Sequence, residues 1–368
     1  MFDAIANLVG SAFGRGSSLS VPILDGALKP NNLLEQAPVL VERAGLEDLA
    51  VGRDGALYAA CGTAVVKVSD GGELAELATF DRPVTALAVL ADGTLAVGLG
   101  NAVVVDAGGA GRTISALDDR PLVAVNALHA AADGSLLVSD GSATRPYAQW
   151  SHDLMEKGRS GRLVRFQPAG GPASTLASSL GYAFGAFVDE KARVLVSESW
   201  RHQVDLVEGG RTRPAVSALP GYPGRMTAAA GGGFWLSLFA CRTQLVEFVL
   251  RETDYRREMM RTVDPKYWVA PALSSGEDFR EPLQGGSVKQ MGILKPWAPP
   301  RSYGLVVRFD ADFIPRYSLH SRTGGHNHGV VAVAERGNDL FVLSKGAGRI
   351  LRLSVAEIEA AASQGAMA

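Results

Sequence analysis

Cysteine is nearly absent. Two residues, Cys61 and Cys241, cannot build a disulfide framework or a cysteine-ligated metal centre. Histidine is scarce as well, at 6 residues; the His326-x-His328 pair could ligate a transition metal, but no further histidine or carboxylate lies at a diagnostic spacing. No apolar run approaches the length of a membrane-spanning helix. Charge of either sign is not in excess: 36 Lys and Arg face 38 Asp and Glu, a net charge of −2, which argues against nucleic acid or an anionic membrane as partner. The G-x-S-x-G elbow, the P-loop and HExxH are all missing, which removes the α/β-hydrolase, kinase and zincin routes.

What is present is repetition. An alternating apolar run, a tight polar or glycine turn and a second alternating run recur as EDLAVGRDGALYAA from Glu47, TALAVLADGTLAVG from Thr85 and NALHAAADGSLLVS from Asn126. Weaker copies start at Tyr182, Gly224 and Val330, making six. Two further short strands follow most copies, as in AVVKVSDGGELAELA and QVDLVEGGRTRPAVS, and four-strand repeats of this kind are propeller blades. The last copy is one strand short, and PVLVERAG at 38–45 is available to complete it, hiding the edges of the ring. The expected fold is therefore all-β: a six-bladed β-propeller over 38–368, preceded by an N-terminal arm over 1–37. Within the arm, Phe2, Ile5, Leu8, Val9 and Phe13 follow helical spacing without the basic start of a signal peptide, so a docked amphipathic helix and a cytoplasmic protein are expected.

Two inter-blade spacings are too long, at about 142–160 and about 252–300. Both excesses fall between the second and third strands of their blades, so both cap the face where the innermost strands begin, and long loops on one face of a rigid scaffold carry function. Seven positions back from each turn stands the residue at the channel mouth: Glu47, Thr85, Asn126, Ala183 or Phe184, Gly224 beside Arg225, and Val330 just after His326-Asn327-His328. Only Glu47 and Asn126 suit a calcium ion, which takes six to eight oxygens. Arg225 either points to solvent or turns inward, where it would pair with Glu47 and stand in for a cation. In TGGHNHG, His326 and His328 are two apart and either can serve as a general base near neutral pH, or the loop simply bonds its own backbone. His129, His152, His202 and His320 stand alone and read as core or surface residues.

The run GRLVRFQPAGGPASTLASSLGYAFGAFVDEKARVLVSESWRHQV, then SALPGYPGRMTAAAGGGFWLSL and SYGLVVRFDADF, resembles the strictosidine synthase-like proteins; VPILDGALKPNNLLEQA looks like the leader of their bacterial members. The resemblance implies a six-bladed propeller related to paraoxonases and regucalcin-type gluconolactonases. Those calcium-dependent lactonases keep a glutamate, two asparagines and an Asp-Asn pair about the metal. Here only Glu47 and Asn126 match; Ala183 or Phe184, and Gly224 with Arg225, replace the rest. Strictosidine synthase uses a glutamate in its last blade, for which HNHGVVAVAE offers no counterpart, Glu335 lying toward the opposite turn.

These residues point to a small organic substrate at the channel mouth, with neither metal nor cofactor, and to hydrolysis of an ester or lactone. His328 or His326 would be the base, Arg225 and Asn126 would hold an oxyanion or carboxylate, Glu47 would orient Arg225, and Phe184 and Asn327 would complete the lining. A non-catalytic binding or scaffold propeller and a carbon-carbon or carbon-nitrogen condensing enzyme are the alternatives.

Overall fold

The Asp-Gly turns of the first three blades share one device. Asp54, Asp92 and Asp133 each accept, through Oδ1, the backbone N–H two residues on, at 3.0, 2.9 and 3.0 Å. The glycine that follows each takes φ of +77°, +89° and +80°, a left-handed backbone that side chains disfavour. In blade 4 no glycine is available, so Asp189 Oδ1 accepts from both Lys191 and Arg193, and Ala192 carries the positive φ.

The computed structural model describes residues 21–105, 111–282, 289–290, 293–294 and 301–363. The amphipathic pattern at 2–13 lies outside them. Six four-stranded antiparallel meanders follow one another, their innermost strands being Leu46–Val51, Ala86–Val89, Val125–Ala130, Ala183–Val188, Gly221–Ala228 and Val330–Arg336. Each inner strand packs against those of both neighbouring blades, and the sixth packs against the first, so the ring is closed. Val39–Glu42 supplies the outer strand of blade 6 by pairing antiparallel with Arg349–Ser354. The core is divided into sectors between blades: Val105, Leu122, Leu128 and Phe166 fill one between blades 2 and 3, and Phe187, Leu206, Phe234 and Phe309 another between blades 4 and 5.

Both long connections leave from the expected strand pairs. Between Leu136–Asp140 and Gly161–Phe166 lies the helix Trp150–Glu156. Between Phe234–Cys241 and Gly304–Phe309 lie the helices Gln244–Arg251 and Thr253–Thr262. This second excursion starts before the polar stretch that marks it in sequence, because QLVEFVL folds as a helix capped by Thr243, whose Oγ1 accepts from Val246 N, with Val246 and Val249 buried. His152 of the first excursion meets Trp268 of the second edge-on at 4.7 Å, so the two caps touch over the channel face.

The short helix Leu33–Gln36 fastens the arm to the loop after blade 5. Glu35 accepts hydrogen bonds from Ser321 Oγ, the His326 ring and the His326 backbone at 2.6, 2.9 and 2.9 Å. Burial alone would raise its carboxyl, but these bonds and one from Asn327 hold it at about 2. A carboxyl depressed from 4.5 contributes stability above that value, lost as pH falls from 4.5 toward 2. Acidification across this window is expected to lower the amide protection factors at 33–36 and 321–327 before those of the blades, and Glu35→Gln to reproduce that loosening at neutral pH. Unchanged protection in both experiments would count against this fastening.

Candidate functional site

The inner strands slip register where they reach the channel axis. In blade 1 Leu46 pairs with Cys61 and Asp48 with Ala60, which leaves Glu47 without a partner. The same slip leaves Asn126 in blade 3, Gly224 and Arg225 in blade 5 and Val331 in blade 6 unpaired. A bulge of this kind re-aims a residue and frees its backbone groups from the ladder. The freed carbonyls turn to the axis, where Arg225 meets them. Nη1 donates to the carbonyls of Glu47 and Val331 at 3.1 and 3.2 Å, and Nη2 to those of Thr85 and Asn126 at 2.6 and 2.7 Å. Nε lies 3.2 Å from Asp48 Oδ2, near enough for charge pairing though without hydrogen-bond alignment. Phe184 of blade 4 sets its ring 5.1 Å from the guanidinium carbon.

Arg225 thus points inward, but its carboxylate partner is Asp48 rather than Glu47. With its Nη groups committed to four carbonyls, the guanidinium is not free to grip an oxyanion. The Glu47 carboxylate is held instead by Lys345 Nζ at 2.6 Å and by the hydroxyl of Tyr147 from the first excursion. Burial, then the Glu47 charge, push the Tyr147 hydroxyl well above its usual range, so it remains a protonated donor. Asn126 donates through Nδ2 to Ala183 O at 2.7 Å, and the buried Tyr182 hydroxyl is the hydrogen-bonding neighbour of its side chain. Around these groups Trp150, Tyr182, Phe184, Phe239 and Leu273 form an aromatic and aliphatic chamber with only about 20 Å³ of free space.

The histidine loop does not converge on that chamber. His326 is exposed and bound to Glu35, and Asn327 ties down the arm, donating through Nδ2 to Leu34 O at 2.9 Å. His328 is buried beside a separate cleft of about 730 Å³, lined by both histidines, Ser275, Arg301, Ser302 and Arg349. Its ring is engaged at both nitrogens: Nε2 lies 3.1 Å from Arg322 O and Nδ1 2.8 Å from Ser302 Oγ. A carbonyl only accepts, so Nε2 carries the proton, Nδ1 is the lone-pair acceptor, and the Ser302 hydroxyl donates to it. Ser275 Oγ, 2.6 Å from Ser302 Oγ, then donates to Ser302. Burial keeps the His328 ring below its usual pKa and therefore neutral.

Four groups here escaped sequence reasoning. Asp48 sits beside the ring position in ED, and Lys345 ends a second strand on the channel face, so the ring count applied to second-strand ends would have found it. Tyr147 and Ser302 lie in and just after the excursions, where no repeat fixes position. Among the described residues no three Asp, Glu, His or Cys side chains converge as metal ligands. The calcium implied by the lactonase resemblance does not fit, because the axis is occupied by a guanidinium.

No family model matches the chain. Over 116 residues, 31% of this chain and 31% of the relative, it is 28% identical to Protein STRICTOSIDINE SYNTHASE-LIKE 6 of Arabidopsis thaliana. The aligned part thus spans about a third of that curated relative's length. Among solved structures, a gluconolactonase of Xanthomonas campestris superposes with a TM-score of 0.56 at 16% identity, covering 86% of this chain and 88% of that one. A luciferin-regenerating enzyme superposes with a TM-score of 0.52 at 13% identity, covering 87% and 92%. At such identities the structural likeness carries the fold.

Asp48 makes the axis sensitive to pH. Burial raises its carboxyl to about 6, against the lowering by Arg225 and by the N–H groups of Leu87 and Leu49. A folded value above the unfolded 3.8 means the folded chain keeps a proton that the unfolded chain has lost, so stability falls as pH rises from about 4 to about 6. Asp48→Asn is expected to flatten that part of a plot of unfolding free energy against pH; a slope identical to the parent's would assign the effect elsewhere.

Proposed function

We propose that this strictosidine synthase-like propeller hydrolyses small esters or lactones without a metal, with Ser302 as nucleophile and His328 as its base. The observation that carries the reading is the directed chain of hydrogen bonds from Ser275 through Ser302 and His328 to the carbonyl of Arg322. It leaves Nδ1 deprotonated against the serine hydroxyl, the arrangement a nucleophile and its orienting base require. Ser302 Oγ attacks the substrate carbonyl carbon while its proton passes to His328 Nδ1. The tetrahedral intermediate then expels the alkoxide, which takes that proton back, and water releases the acyl group by the same route in reverse. Arg301 lines the cleft, its guanidinium held by Glu281 at 3.3 Å and by the carbonyl of Lys266, and brings a positive charge near a developing oxyanion. The gluconolactonase fold agrees with a lactone substrate, as analogy only.

A binding propeller without turnover is the second reading, favoured by the aromatic lining of the chamber at Trp150, Tyr182, Phe184 and Phe239. Calorimetric binding of a metabolite that is never converted would support it.

Against a panel of aryl esters and lactones, Ser302→Ala and His328→Gln are each expected to lower kcat/KM by about 100-fold or more. A fluorophosphonate should label Ser302 in the parent and fail to label the His328 variant. Because burial keeps His328 below 6.5, the acid limb of kcat/KM should fall below that pH. Full turnover in both variants would remove the assignment.

A further inference from the structure

Five oxygens from four blades meet at one point on the channel axis. They are the carbonyls of Glu47, Thr85, Asn126 and Val331 and the Asp48 carboxylate, all within 3.2 Å of an Arg225 nitrogen. Glu47, Asn126 and Val331 stand at register slips, which is why their carbonyls are available at all. Thr85 precedes its strand. The side chains of Glu47, Asp48, Thr85, Asn126 and Arg225 are buried. Converging carbonyl dipoles beside a carboxylate repel one another unless a positive charge lies between them, and an all-oxygen set of this kind is what hard cations select.

We infer that this ring is a cation site and that the Arg225 guanidinium is its resident cation. The planar fork suits it: each terminal nitrogen spans two blades, Nε faces the carboxylate, and the Phe184 face closes the remaining side. Arg225 itself borders a cavity of about 170 Å³ together with Asp48, His129 and Val333, while Phe184, whose ring covers the guanidinium, lines the chamber of Tyr147 and Lys345. The site is separate from Ser302 and His328 and does not depend on their reading. Emptied of its side chain, the ring takes a free guanidinium or a calcium ion from solution.

Arg225→Ala, prepared in guanidinium-free buffer, tests this. Its Tm is expected to fall by roughly 5 °C or more, the order expected when one partner of a buried pair is removed. Low-millimolar guanidinium, well under denaturing concentrations, should restore Tm saturably. Calcium should bind once per chain by calorimetry in the variant and not in the parent. Urea, planar and similar in shape but neutral, should restore nothing. If the variant does not fold unaided, its refolding yield with and without guanidinium replaces the melt. Recovery with either cation supports the inference. A variant as stable as the parent, one indifferent to both cations, or one that urea restores as well as guanidinium would overturn it.

Discussion

One guanidinium gathers the six blades. Arg225 belongs to blade 5, donates to carbonyls of blades 1, 2, 3 and 6 and rests against an aromatic ring of blade 4. A propeller's hydrophobic sectors lie between blades, so they hold neighbours together but say little about the axis, where polar backbone comes nearest to itself. Each buried carbonyl left without a donor costs about 1–3 kcal/mol, and an unpaired buried carboxylate more. Four carbonyls share this problem, and the two Nη groups of one side chain answer it at once, while its permanent charge faces Asp48, whose carboxylate also accepts from Leu49 N and Leu87 N. The gain from pairing is not free of cost: Asp48 still titrates above its usual range, because burial outweighs the neighbouring charge.

Occupation of the axis leaves the roomier space to one side. The chamber above Arg225 is covered by Tyr147 and Trp150 from one excursion and Leu273 from the other, and little space remains. The roomier polar cleft lies beside it, where the end of the second excursion meets the loop before blade 6. Leu273 lines the chamber and packs on blade 6: a methyl group added at Gly329 or Gly346 would run into its carbonyl oxygen, so those two glycines allow the excursion to lie flat there. His328 belongs to the cleft through its ring and to blade 6 through its carbonyl, which accepts from Ser344 Oγ at 2.6 Å.

The blades were legible because their signals are local. An Asp-Gly turn between two alternating runs encodes a hairpin within about a dozen residues, and repetition supplies the rest. The channel ring was half legible. Counting back from the turns reaches Glu47, Thr85, Asn126 and Arg225, all of which do meet at the axis, but counting cannot show that backbone oxygens rather than side chains face inward. That depends on register slips, which no side-chain pattern announces. The exchange of Glu47 for Asp48 as the partner of Arg225 follows from the same slip, since a bulge moves adjacent residues to different levels of the channel. Ser302 was illegible for another reason: its meaning comes from His328, 26 residues away and brought near only by the return of the chain through blade 5.

A cation carried on the chain differs from one drawn from solution. A bound ion stabilises a fold in proportion to the logarithm of its concentration, so a metal-centred propeller varies with its supply. A tethered guanidinium is present at a fixed effective concentration whenever the blades close, and stability at the axis no longer varies with the supply of an ion. The same tether removes a Lewis acid from the axial position, because guanidinium has no open coordination site and its Nη donors are already taken by backbone. The proposed hydrolysis uses proton-transfer groups set off the axis, a neutral buried imidazole against a serine hydroxyl. One substitution on the axis thus alters what holds the ring together and also which side chains are left to react.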